Sequence, residues 1–142
     1  SSMIEGSDLH LFRLIHYPPL TGNEPEGAVR AAAHGDINFL TMLPAATAEG
    51  LQAQMINDEW VNVPINSNWI VVNAGDMLAE CTEHYYPSTQ HRVLNPTGDA
   101  AKKARLSMPL FLHPRNDVRL SERHTAQSYR MERYKELGLD ME

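Results

Sequence analysis

The 142 residues are 42% hydrophobic and carry a formal charge of −6, from 12 lysines and arginines against 18 aspartates and glutamates. That length suits one domain with its own core, and the composition is globular rather than disordered. The acidic balance argues against a nucleic-acid partner, because phosphate binding needs a clustered basic surface. Basic residues do gather late in the chain (Arg115, Arg119, Arg123, Arg130, Arg133, Lys135), but Asp117, Glu122, Glu132 and Glu136 interleave with them, as on a solvated mixed-charge face. Cys81 is the only cysteine. It excludes an internal disulfide and makes the reducing cytoplasm the expected compartment. No run approaches the roughly 18 apolar residues of a membrane span, and no signal pattern opens the chain.

Residues 1–7 read as a linker or expression scar and are set apart from the fold. Leu9 to Tyr17 alternates apolar and polar residues, a strand pattern that Pro18-Pro19 ends. Thr21 to Gly27 is a loop, and Ala28 to Ala33 is open between strand and short helix. Asp36 to Leu43 has the apolar content of a strand with a buried face. Gly50 to Ile56 and Glu59 to Val63, joined by the turn signal Asn57-Asp58, predict a hairpin. Asn68 to Asn73 is a further strand, and Trp60, in the hairpin, and Trp69, in this strand, take core or rim packing roles. Asp76 to Glu83 has helical composition, with Asp76 as a cap. On that helix Glu80 and His84 stand at i, i+4 as a hydrogen-bonded pair rather than a metal pair. Cys81 is a packing residue whose acidic neighbours raise its pKa.

Gln90 to Asn95 and Ala104 to Leu112 complete the strands. Thr125 to Leu137 then has helical spacing, stopped by Gly138. Many short strands followed by one helix predict a mainly β sandwich or jelly roll, organised as residues 8–113 with a tail at 114–142.

The chemistry centres on His34-Gly35-Asp36. On a strand, residues i and i+2 share a face, so His34 and Asp36 can hold one ion together. His91 can complete a two-histidine, one-carboxylate triad if its strand neighbours theirs. That donor set, with open positions, is the facial triad of non-haem Fe(II) oxygenases. His-x-Asp alone is common; His91 and the Arg105-x-Ser107 pair strengthen it.

Phe12-Arg-Leu-Ile-His-Tyr-Pro-Pro19, His34-Gly-Asp36, Val72-Asn-Ala-Gly-Asp-Met-Leu78, His91-Arg-Val-Leu-Asn-Pro96 and Arg105-Leu-Ser-Met-Pro-Leu-Phe111 come in the order and spacing of a known family. Over residues 9 to 113 the chain resembles the isopenicillin-N-synthase-like 2-oxoglutarate- and Fe(II)-dependent dioxygenases. The resemblance implies a double-stranded β-helix with a C-terminal helix, and His34, Asp36 and His91 as iron ligands. It implies that Arg105, Ser107 and Tyr17 hold the distal carboxylate of the cosubstrate 2-oxoglutarate. It also implies consumption of dioxygen and oxidation of a small organic molecule with release of succinate and CO2. Family members carry about as many residues again before the Tyr-Pro-Pro segment. The resemblance therefore leaves room for a partner chain or an N-terminal segment completing the fold. His16 stands where many plant relatives have Asn. Two other readings remain open: an oxidase of the same fold that uses no 2-oxoglutarate, and a non-catalytic jelly-roll binding module.

Overall fold

A computed structural model describes residues 2–139. Ser1, from the expected linker, and residues 140–142, from the expected tail, lie outside the described residues. In chain order the elements are β1 (Leu11–Phe12), β2 (Ile15–Tyr17), β3 (Ala31–His34), β4 (Leu40–Pro44), β5 (Leu51–Gln54), β6 (Trp60–Asn62) and β7 (Ile70–Ala74). Then come α1 (Asp76–Cys81), β8 (His91–Val93), a 3-10 turn (Gly98–Lys102), β9 (Arg105–Ser107), β10 (Leu110–Leu112) and α2 (Ala126–Glu136).

The strands form two four-stranded antiparallel sheets, β1-β10-β4-β7 and β3-β8-β5-β6, and β2 pairs with β9 in a separate two-stranded sheet. This is a mainly β double-stranded β-helix, a jelly roll, followed by one C-terminal helix. The expected hairpin is β5–β6: Gln54 pairs with Trp60, and Asp58 takes the left-handed backbone, φ 65°, that its turn requires.

Two strands expected as continuous are each broken, and the breaks face one another. Residues 9–17 divide around Arg13-Leu14, and residues 104–112 around Met108-Pro109. Pro109 has no N–H for the ladder, but its carbonyl still accepts from the Arg13 amide at 3.0 Å. The pairing continues across the break in the same register.

The strand expected from Asp36 begins only at Leu40. Residues 36–39 instead turn their carbonyls to the start of α1: Gly75 N donates to Phe39 O, Asp76 N to Asp36 O and Met77 N to Asn38 O. Asp76 is therefore not the cap. Gly75 occupies that position, and carbonyls from across the fold satisfy the helix's free donors. Helix α1 ends at Cys81 and His84 adopts φ 61°, so the Glu80–His84 helical face does not form.

The buried core is small: Phe39, Met77, Val118, Leu120 and Ala126, with Met3, Ile4, Cys81 and Tyr129 packed against it. Burial, then Glu80, raises the Cys81 pKa. The Arg92 guanidinium covers the Trp60 ring at 4.1 Å, whereas Trp69 precedes β7 and is 56% exposed rather than packed. Helix α2 opens with a capping box, Thr125 and Ser128 each accepting the other's backbone N–H, and Gly138 (φ 69°) follows its end.

Candidate iron and 2-oxoglutarate site

Strands β3 and β8 are neighbours, with His34 directly opposite His91. Asp36 reaches them by another route than strand alternation. It lies two residues past β3 in the segment pinned to α1, and is buried. One potential ligand atom from each residue lies within 4.8 Å of the others, and His91 Nε2 is 3.7 Å from Asp36 Oδ1.

The surrounding hydrogen bonds orient each donor. His34 Nδ1 meets the Ala32 carbonyl at 2.7 Å, and His91 Nδ1 meets the Thr89 carbonyl at 3.0 Å. A carbonyl only accepts, so in the neutral imidazoles Nδ1 carries the hydrogen and the Nε2 lone pair is left free. Asp36 Oδ2 accepts from Thr41 Oγ1 at 2.6 Å and from Asn73 Nδ2 at 3.0 Å, which leaves Oδ1 without a hydrogen bond among the described residues. Two nitrogens and one oxygen with free lone pairs suit a divalent transition metal, and no other cluster of this kind occurs among the described residues.

Thr41 and Asn73 were not identified as functional from the sequence. They face each other across β4 and β7, and only that pairing places both beside Asp36. Asn38 Nδ2 in turn donates to Thr41 Oγ1 at 3.1 Å.

The three residues open on a cavity of about 620 Å3, which also receives Tyr17, Arg105 and Ser107. Tyr17 and Arg105 are partners in the β2–β9 ladder, and Ser107 pairs with Ile15. Arg105 is 2% exposed. Its Nε donates to the Ala48 carbonyl at 2.9 Å, its guanidinium lies 5.3 Å from the Tyr17 ring centroid, and its buried Nη1 has no partner. No carboxylate pairs with it among the described residues. Burial, and then the nearby Arg30, lower its pKa, while Tyr17 opposes them. A buried, unpaired guanidinium is costly, and an incoming carboxylate would supply the missing acceptor.

Residues 9–114 match the 2OG-Fe(II) oxygenase superfamily, and the chain belongs to that superfamily. A feruloyl CoA ortho-hydroxylase of Ipomoea batatas is 37% identical over 106 residues, covering 73% of this chain and 28% of the relative. The structure of an oxygenase-like protein from Shewanella oneidensis shares 52% identity and superposes with a TM-score of 0.87 over 98% of this chain and 51% of that one. A Neurospora crassa protein in complex with alpha-KG and thymine shares 27% identity, with a TM-score of 0.81 over 96% of this chain and 46% of that one. The chain thus spans about half the length of these solved relatives and about a quarter of the curated one. No helix among the described residues is long and apolar enough to cross a membrane.

Proposed function

We propose that this chain is the catalytic portion, residues 8–113 with its tail, of an Fe(II)- and 2-oxoglutarate-dependent dioxygenase acting on a small organic molecule in the cytoplasm. His34, Asp36 and His91 hold the iron; Arg105, Ser107 and Tyr17 hold the distal carboxylate of 2-oxoglutarate. The observation that carries this reading is Arg105: a buried guanidinium with an unpartnered Nη1 opens on the same cavity as the three ligand atoms.

Bound iron, 2-oxoglutarate and dioxygen supply the oxidising chemistry, with succinate and CO2 as the cosubstrate's products. The chain's own part is geometric. The Ala32 and Thr89 carbonyls fix the two rings, Thr41 and Asn73 fix the carboxylate, and the guanidinium fork sets the cosubstrate's direction. We further propose that an additional segment or partner chain completes the fold. Supporting this, Phe12, Leu110, Met42 and Val72 form a cross-strand apolar row, with Phe12 and Val72 more than half exposed.

Anaerobic titration with Fe(II) and 2-oxoglutarate tests the assignment, with a weak visible charge-transfer band expected. Admitting dioxygen should then yield succinate. Dioxygen uptake without succinate would favour the oxidase reading, and absence of both band and binding would leave a non-catalytic module.

A further inference from the structure

The strand pair that carries the cosubstrate residues continues across the cavity. Leu11, Arg13, Ile15 and Tyr17 line it, alternating with Phe12, Leu14 and His16, which do not. The alternation is inverted at one position: Arg13, itself solvent-exposed, lines the cavity among apolar residues, while Phe12 and Leu14, 58% and 76% exposed, do not line it. A charge on the inner face beside apolar residues breaks the local pattern, and such breaks concentrate at functional sites.

Arg13 is also a cavity cation whose charge no group answers among the described residues. Arg105 is assigned to the cosubstrate, and Arg133 faces Asp76 at 3.8 Å and pairs with Glu136. The Arg13 side chain makes no hydrogen bond or ion pair among the described residues; only its amide is engaged, with Pro109. Among the described residues, Asp36 is the only carboxylate lining the cavity. In a protein of net charge −6, the unspent charge of this wall is positive.

The Arg13 backbone is set apart from the Arg105 clamp along the strand. Tyr17 lies opposite Arg105, and Arg13 stands two pleat repeats from Tyr17, roughly 13 Å along an extended strand. The two guanidinium groups mark separate anion positions, with the triad opening on the same cavity.

We propose that the substrate is a small organic acid whose carboxylate pairs with Arg13 while its apolar body lies against Leu11 and Phe111. This rests on the dioxygenase reading above and adds the substrate's chemical class to it. A guanidinium fork matches a carboxylate and discriminates against the isosteric amide, which brings no charge.

The test uses the protein loaded anaerobically with Fe(II) and saturating 2-oxoglutarate. Butyrate, octanoate and 3-phenylpropionate are each titrated against the corresponding amide by calorimetry. At least one acid should bind about tenfold or more tightly than its amide. Arg13→Gln should erase that preference, Arg13→Lys should keep most of it, and 2-oxoglutarate affinity should be unchanged in both variants. Equal binding of every acid and its amide, or binding of none, overturns the proposal. So does weaker 2-oxoglutarate binding in Arg13→Gln, which would assign the residue to the cosubstrate. If Arg13→Gln does not fold, the wild-type preference and Arg13→Lys still decide. Failure of the wild type to load Fe(II) and 2-oxoglutarate removes both readings; loading without an acid preference removes this one alone.

Discussion

Thr41 donates its hydroxyl hydrogen to Asp36 Oδ2 at 2.6 Å, and both residues are buried. With Asn73 on the same oxygen, this bond turns the other oxygen toward His91. Thr41→Val keeps the side-chain shape but loses the donor. Fe(II) affinity should fall about 10- to 100-fold, the usual cost of removing a group that orients a ligand. Anaerobic Fe(II) titration beside a thermal melt checks it. Unchanged affinity in a folded variant would show that Asp36 does not depend on Thr41 for its orientation.

Gly75 and Gly35 flank the same segment, yet alanine should act differently at each. A Cβ on Gly75 would stand 2.1 Å from the Asn38 carbonyl oxygen, backbone that cannot move without disturbing the 36–39 turn. A Cβ on Gly35 would meet Gln90 Nε2 at 2.7 Å and Ser88 Oγ at 2.9 Å, both ends of side chains. Gly75→Ala should cost about 3 kcal/mol or more and lower Tm by roughly 10 °C; Gly35→Ala should cost about 1 kcal/mol. Equal melting temperatures would contradict this account.

The candidate metal residues were legible because His34, Asp36 and His91 are short-range or family signals. Gly138 was legible because a left-handed stop is written locally. What strand periodicity could not show was how Asp36 reaches the histidines. Its position depends on carbonyls of residues 36–39 meeting the amides of residues 75–77, contacts made only in the folded chain. Thr41 and Asn73 were hidden for the same reason, since register between β4 and β7 is a long-range property. Arg13 stood in a recognised segment, but its unpaired state is visible only with the cavity around it.

Arg105 lends itself to a test in which stability and binding move apart. Removing a buried charge that has no carboxylate partner should not destabilise the ligand-free protein, even though the bond to Ala48 is lost. Arg105→Met should therefore melt at or above the wild-type temperature. Its affinity for 2-oxoglutarate should fall about 100-fold, while Fe(II) binding persists. A variant that kept its cosubstrate affinity would remove Arg105 from the proposed clamp.

His113 gives the fold a pH dependence of defined sign. Burial pushes its imidazole below the ordinary value of 6.5; the Phe111 carbonyl opposes this, Arg130 and His10 reinforce it, and Asp36 opposes it. Below that ordinary value the unfolded chain takes up a proton that the folded ring resists, so the unfolded state binds more protons. The stability tied to a neutral His113 is complete above about pH 6.5 and declines as the pH falls through that value toward the folded pKa. Metal-free protein should thus melt at lower temperature on acidification from about pH 7.5 to about pH 5.5, and His113→Asn should show a shallower slope. Calorimetric melts at fixed ionic strength measure both slopes. Identical slopes would mean that the ring is solvated in the folded protein, and His113 could not then be the neutral group facing the cavity.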